Sequence, residues 1–151
     1  MKKRVYVLEV SITEGLMDEE FAESNPVISR TIEIEGLSTL EQLHKVIFKA
    51  FDREEEHLYE FQLDSDAQDP DKRFILEEMD EEEEEDCGFV EHTTLNELHL
   101  EEGDTIGYLF DYGDLWLHEI DVKMIKQVEE GVKYPRIVKK VGKSPLQYAE
   151  W

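Results

Sequence analysis

Asp111, Asp114 and His118 form the group of side chains best suited to chemistry. Asp111 and Asp114 flank a predicted tight turn, so their carboxylates can converge near its mouth, and His118 lies on the strand that follows. Carboxylate and imidazole groups together suit a divalent metal ion or acid–base catalysis. The structural alternative is that aspartate caps its own backbone in the turn, while His118 bonds to Asp111 or to the main chain. The spacing alone leaves both interpretations open.

His44 and His57 are two further candidates for the same site. His44 stands on the apolar stripe of a predicted helix, a position typical of a core histidine whose nitrogens are satisfied by hydrogen bonds. His57 begins a predicted strand and can approach the end of that helix. A site would form if His44, His57 and His118 converged. No cofactor motif is evident, so a divalent metal bound by Asp111, Asp114 and His118 is the one cofactor that the sequence suggests.

The elements that must position these residues follow from the spacing of apolar side chains. Alternation of apolar and polar residues predicts strands, the last two forming a hairpin around the Asp111 turn. In the third strand, Leu58, Tyr59 and Phe61 are the candidates for burial. Residues 13–26 are predicted to be a polar connection. The predicted strands are 5–12, 27–34, 57–63, 74–76, 105–111 and 115–126.

One helix is predicted to pack against these strands. It begins at a capping box in which Ser38 accepts from the Glu41 amide, and it ends at about Phe51. A second capping box at 94–97 heads a shorter helical turn. We therefore expect an α+β fold with a mostly antiparallel or mixed sheet, one main helix packed across it, and a β-grasp-like roll. The apolar stripe of the helix consists of Leu40, Leu43, His44, Ile47 and Phe51.

The charge of the chain is strongly acidic. Its 151 residues contain 39 acids and 16 bases, which gives a formal net charge of −23. Such a surface repels phosphate, which disfavours direct nucleic-acid binding and anionic membranes. It is compatible with a partner protein that has a basic surface, with divalent cations, or simply with solubility. The sequence gives no oligomeric state.

The acids and bases are unevenly distributed. Residues 77–86 contain nine acids, and we expect a disordered acidic loop at 77–88 within a single domain, 1–151. Residues 123–151 contain seven bases and three acids, and the chain from about residue 127 is predicted to be an irregular basic tail. This tail can contact another molecule, but docking on the acidic body is favoured because it needs no partner. The single cysteine, Cys87, excludes an internal disulfide and suits the cytoplasm, and no apolar run is long enough to span a membrane.

Several segments together resemble the plasmid pRiA ORF-three-like family of small bacterial and archaeal proteins. The specific segment is 110–118, FDYGDLWLH, and weaker matches lie at 26–30, 39–51, 57–61 and 134–135. This chain has Ile28 where the family usually has tryptophan, and 142–148 replaces the usual acidic and glycine-containing end. The resemblance implies an α+β fold and no known activity.

Three functions are compatible with these observations. The first is a non-enzymatic protein-interaction module in the cytoplasm, which the acidity and the lack of catalytic motifs favour. The alternative is a metal-binding protein or metal-assisted enzyme that uses Asp111, Asp114 and His118. A further alternative is a mobile-element-associated protein that handles nucleic acid, which the family's plasmid context and the basic tail suggest, although the net charge opposes it.

Overall fold

Eight strands join in a single sheet in the computed structural model, which describes residues 3–63, 72–80 and 87–148. The elements are β1 (Arg4–Glu14), α1 (Glu19–Ser24), β2 (Ser29–Glu35), α2 (Leu40–Ala50), β3 (Tyr59–Leu63), β4 (Arg73–Ile75), β5 (Gly88–Phe89), β6 (Thr105–Phe110), β7 (Trp116–Gln127) and β8 (Arg136–Val141). The order across the sheet is β5-β4-β3-β6-β7-β1-β2-β8, and every neighbouring pair is antiparallel except β4 and β5. An α+β fold with a mixed sheet is therefore confirmed. The sheet dominates rather than one main helix across it, and the β-grasp-like roll is not confirmed.

The core lies on one face of this sheet, beneath α2. Alternate residues of β1, β6 and β7 are buried there, as their alternating pattern predicts. The apolar stripe predicted for α2 is confirmed, since all five of its members are buried. Each large apolar side chain buried in this way stabilises the fold by about 1.5–3 kcal/mol. The sheet contributes Tyr6, Leu8, Val10, Ile106, Tyr108, Phe110, Trp116, Ile120 and Val122 to the core.

The start of α2 differs from the prediction by one residue. Thr39, not Ser38, is the N-cap, and its hydroxyl accepts from the amide of Gln42. The Gln42 side chain accepts in return from the Thr39 amide, which completes the capping box. The sequence does not distinguish the two, because Ser38 and Thr39 are both good caps and each has a polar partner three residues on.

Leu58 is a second difference from the prediction. Its side chain is exposed, whereas Tyr59 and Phe61 are buried. Since side chains alternate along a strand, Tyr59 and Phe61 share the core face, and Leu58 does not belong to that face. The strand itself begins at Tyr59 rather than at His57.

The predicted irregular tail contains a regular strand. Residues 136–141 form β8, which pairs with the outer edge of β2. The buried Arg30 of β2 donates hydrogen bonds to the carbonyl of Val141 and the hydroxyl of Ser144, and so fastens the chain that follows β8. This strand was missed because it is rich in lysine and lacks clear alternation, while backbone hydrogen bonds to β2 supply its stability.

Two predicted connections are more ordered than expected. The polar connection at 13–26 contains α1, whose N-cap Asp18 accepts from the Phe21 amide. At the borders of the predicted acidic loop, residues 77–79 form a 3-10 helix and Gly88 begins β5. Residues 81–86 lie outside the described residues, so the disorder expected there stays a prediction. Among the described residues, no helix has the length and apolar character needed to cross a membrane.

The turn between β6 and β7 has an unusual backbone. Asp111 and Leu115 both adopt left-handed conformations, with φ of 69° and 55°. Aspartate accepts this conformation more readily than most residues, because its side chain can bond to the local backbone. The turn holds Asp111 at the end of the sheet, where its amide also donates to the carbonyl of Leu58. The hairpin predicted around this turn therefore fixes the position of the first candidate residues.

Candidate functional site

Asp111 divides its carboxylate between the turn and a neighbouring histidine. Its Oδ1 accepts from the amides of Gly113 and Asp114, at 3.0 and 3.3 Å. Its Oδ2 lies 3.5 Å from Nε2 of His57. The backbone-capping alternative is thus present in the structure, and it leaves one oxygen directed at His57.

His57 connects this turn to the C-terminal segment. Its Nε2 lies 2.6 Å from the hydroxyl of Tyr148, and that hydroxyl donates to Oε2 of Glu55 at 2.9 Å. Desolvation, the hydrogen bond to Glu55 and the charges of Asp111 and Asp114 raise the pKa of Tyr148 to about 12. These contacts join Glu55, His57, Asp111 and Tyr148, and the Asp114 amide donates to Asp111. We call these five residues the acidic end.

His118 lies on the other side of the turn, inside the core. Its Nδ1 donates to the carbonyl of Tyr108, and its Nε2 accepts from Nη2 of Arg53 at 2.7 Å. Burial, followed by the positive charge of Arg53, holds the pKa of His118 well below its ordinary value. A neutral imidazole with both nitrogens engaged in this way has no lone pair left for a metal ion.

His44 forms part of a chain of polar groups that runs inward from the surface. Its Nε2 donates to Glu56 at 2.8 Å, and its Nδ1 accepts from the hydroxyl of Tyr108 at 2.6 Å. The imidazole ring stacks on Tyr59 at 3.6 Å. Burial lowers the pKa of His44, although Glu56 acts in the opposite direction. His44 is thus a satisfied core histidine, as its place on the apolar stripe suggests.

Arg53 is a buried charged residue that contacts the predicted site residue His118 and that the sequence did not reveal. The residue is 8% exposed, and its guanidinium lies over the rings of Phe51, Phe110 and Trp116. Nη1 of Arg53 and Nε1 of Trp116 have no hydrogen-bond partner among the described residues. Burial lowers the pKa of Arg53 to about 10. The one available signal was that Arg53 is the single base within the acidic segment 52–56.

The five predicted site residues therefore divide into two groups. His57, Asp111 and Asp114 meet at the acidic end, while His44 and His118 lie in the core and bond to Tyr108 and Arg53. Within residues 3–63, 72–80 and 87–148, no three His, Cys, Asp or Glu side chains are placed to hold a metal ion. Asp111, Asp114 and His118 in particular do not form one set of ligands.

Comparison with known proteins places the chain in a family. The model of the plasmid pRiA4b ORF-3-like proteins matches residues 18–147, a range that includes every residue of both groups. The chain belongs to this family. No protein in the curated collection of characterised sequences matches it.

The solved structure of a protein of unknown function from Methanosarcina mazei Go1 has a similar fold. The TM-score is 0.70 at 24% sequence identity, over 93% of this chain and 71% of that chain. At this identity the likeness concerns the fold alone. The family and this structural neighbour are both of unknown function, so the function of this plasmid pRiA4b ORF-3-like protein must be argued from its own residues.

Proposed function

We propose that this protein is a non-enzymatic protein-interaction module that binds a basic segment of a partner protein at the acidic end. The observation that carries the proposal is the set of contacts that brings Glu55, Asp111 and Asp114 together. The Tyr148 hydroxyl donates to Glu55 and lies 2.6 Å from His57, which lies 3.5 Å from the carboxylate of Asp111, and Asp114 follows in the same turn. Carboxylates gathered in this way create a negative potential that attracts a basic segment and orients it.

Exposed apolar side chains at the same place support binding to a protein rather than to ions alone. Leu58 and Leu115 are exposed, as is part of the Tyr148 ring. Leu58 and Leu115 both accompany the Asp111 turn, through the Asp111–Leu58 backbone bond and through the Leu115 amide, which donates to Asp111. Protein interfaces commonly combine such an apolar centre with charged groups around it, and tyrosine is enriched in them.

The two alternative functions receive less support. A metal centre at Asp111, Asp114 and His118 would require His118 to leave its hydrogen bonds to Arg53 and Tyr108. Direct nucleic-acid binding is opposed by the charge of −23. We place the module in the cytoplasm, because a chain with a single cysteine, Cys87, has no disulfide to form in an oxidising compartment.

The proposal is tested with a fluorescent peptide of alternating arginine and leucine, whose binding is followed by anisotropy. One variant reverses two charges at the acidic end, Glu55→Lys with Asp114→Lys. The matched control reverses two exposed charges elsewhere, Glu102→Lys with Glu119→Lys. Both variants have the same net charge, so any difference between them reports the location of binding.

We expect the peptide to bind the unmodified protein and the control, and to bind the acidic-end variant at least tenfold more weakly, equivalent to about 1.4 kcal/mol. Binding should weaken at higher salt. Equal losses in the two variants would contradict the proposal, since they would indicate a diffuse attraction to the whole acidic surface. Binding of one divalent metal ion per chain, lost in Asp114→Ala, would favour the metal alternative instead.

A further inference from the structure

A pocket of about 470 Å³ lies beside the acidic end and includes His57 in its wall. It is open between the start of α2, the segment before β3 and the 3-10 helix after β4. Its volume falls in the range of sites that hold small molecules or single side chains. The residues that give the pocket its chemistry are Glu41, Glu56, Leu58, Tyr59, Leu76 and Glu78.

Tyr59 lines this pocket and carries a buried polar group without a partner. The residue is 3% exposed, and its hydroxyl has no hydrogen-bond partner among the described residues. Burying an unpaired hydroxyl costs about 1–3 kcal/mol, so a bound group that pairs with it recovers that cost. Burial and the charges of Glu41, Glu91 and Glu56 raise the pKa of Tyr59, which indicates a negative potential around the ring.

The carboxylates of the pocket are available for a cation. In the part of the chain that the structure describes, neither Glu41 nor Glu78 makes an ion pair. Glu56 bonds to His44, and its carboxylate retains lone pairs for a second donor. Lys45 is the one lysine in the wall, so three carboxylates outnumber the fixed positive charge.

We propose that this pocket binds the guanidinium group of an arginine side chain, which the basic partner of the acidic end inserts. Guanidinium presents five donors in a planar fork, which suits several separate acceptors better than the single head group of lysine does. Here the acceptors are the three carboxylates and the Tyr59 hydroxyl. Leu58 and Leu76 supply apolar surface for the methylene stem of the arginine. This inference rests on the proposed function.

The test uses a capped single amino acid, so that it does not depend on finding the partner. Nα-acetyl-arginine amide is titrated at millimolar concentrations into isotope-labelled protein, and amide resonances are followed by NMR. The corresponding citrulline derivative is the matched control probe, because it has nearly the same shape without the charge. The variants are Tyr59→Phe and Glu56→Gln, and Glu119→Gln removes a charge outside the pocket.

We expect shifts at residues of the pocket with the arginine probe, and none with citrulline. Tyr59→Phe and Glu56→Gln should each weaken binding about tenfold, while Glu119→Gln should not change it. Unchanged binding in both pocket variants, or equal shifts with citrulline, would overturn the proposal. Each variant is first checked for an unchanged NMR spectrum outside the pocket, which separates lost contacts from lost structure.

The two proposals can fail separately. If the peptide needs Glu55 and Asp114 but is indifferent to Tyr59→Phe, the interaction module stands and the arginine pocket is overturned. If the capped arginine binds in the pocket but no peptide binds at the acidic end, the pocket is a site for a free guanidinium compound, and the insertion from a partner is overturned.

Discussion

Two tyrosines in the core offer a matched test of the hydrogen-bond assignments. Tyr108 and Tyr59 are 1% and 3% exposed, and both contact the imidazole of His44. The hydroxyl of Tyr108 donates to Nδ1 of His44, whereas the hydroxyl of Tyr59 has no partner among the described residues. Phenylalanine removes one hydroxyl from each position and changes little else, so the two substitutions differ in that one bond.

The two substitutions should change the free energy of unfolding differently. Tyr108→Phe leaves the buried Nδ1 of His44 without a donor, which costs about 2 kcal/mol. For a chain of this size, that lowers Tm by about 4–8 °C. Tyr59→Phe removes a hydroxyl that is buried without a partner, so it should leave the free energy of unfolding unchanged or raise it by about 1 kcal/mol.

The assay is urea unfolding of both variants, followed by tryptophan fluorescence, with the free energy obtained by linear extrapolation. A difference of about 2–3 kcal/mol between the two variants supports the assignments. An equal loss in both variants would contradict these assignments, because it would mean that the Tyr59 hydroxyl has a hydrogen-bond partner as stabilising as His44 is for Tyr108. The same Tyr59→Phe protein then serves in the arginine titration, where it should lose affinity without losing stability.

Further predictions concern a cap, a glycine and a histidine. Thr39→Ala should lower the free energy of unfolding by about 1 kcal/mol and Ser38→Ala should leave it nearly unchanged, as measured by urea unfolding, because Thr39 is the N-cap. By the same assay, Gly142→Ala should lower the free energy of unfolding by about 1–3 kcal/mol more than Gly103→Ala does. The reason is that φ is positive at both glycines, but only at Gly142 would the new Cβ overlap neighbouring backbone. Because the pKa of His118 is lowered in the folded state, the unfolded state binds a proton at a pH where the folded state does not. The free energy of unfolding should therefore decrease as the pH falls below about 6.5, by up to about 1.4 kcal/mol per pH unit. His118→Gln should reduce that slope between about pH 5.5 and 6.5, and an unchanged slope would contradict the assignment.

Local sequence patterns predicted the parts of the fold that depend on near neighbours. The hairpin around Asp111 follows from its turn residues and from alternation in both strands, and the register pairs Phe110 with Trp116 across the loop of residues 111–115. The same alternation places His118 on the buried face. Position 58 was predicted wrongly because two apolar residues, Leu58 and Tyr59, stand side by side, which leaves the phase of the strand undetermined.

The candidate site could be predicted only in part, because its contacts join distant segments. His57 and Asp111 were both candidates, but their meeting depends on the pairing of β3 with β6. Tyr148 reaches the same place from the far end of the chain, through a segment fastened by Arg30. Arg53 and His118 are in contact although they stand 65 residues apart in the sequence, and no periodicity in the sequence predicts such a contact.

The most direct test of binding at the acidic end is photo-cross-linking of the arginine–leucine peptide. A photoreactive phenylalanine derivative replaces Leu58, which is 44% exposed, or Met124, which is 50% exposed. Met124 lies eight residues along β7 from Trp116, about 26 Å from the turn side of the strand. The proposal predicts a cross-link at position 58 and little at position 124. Equal cross-linking at both positions would contradict a localised site.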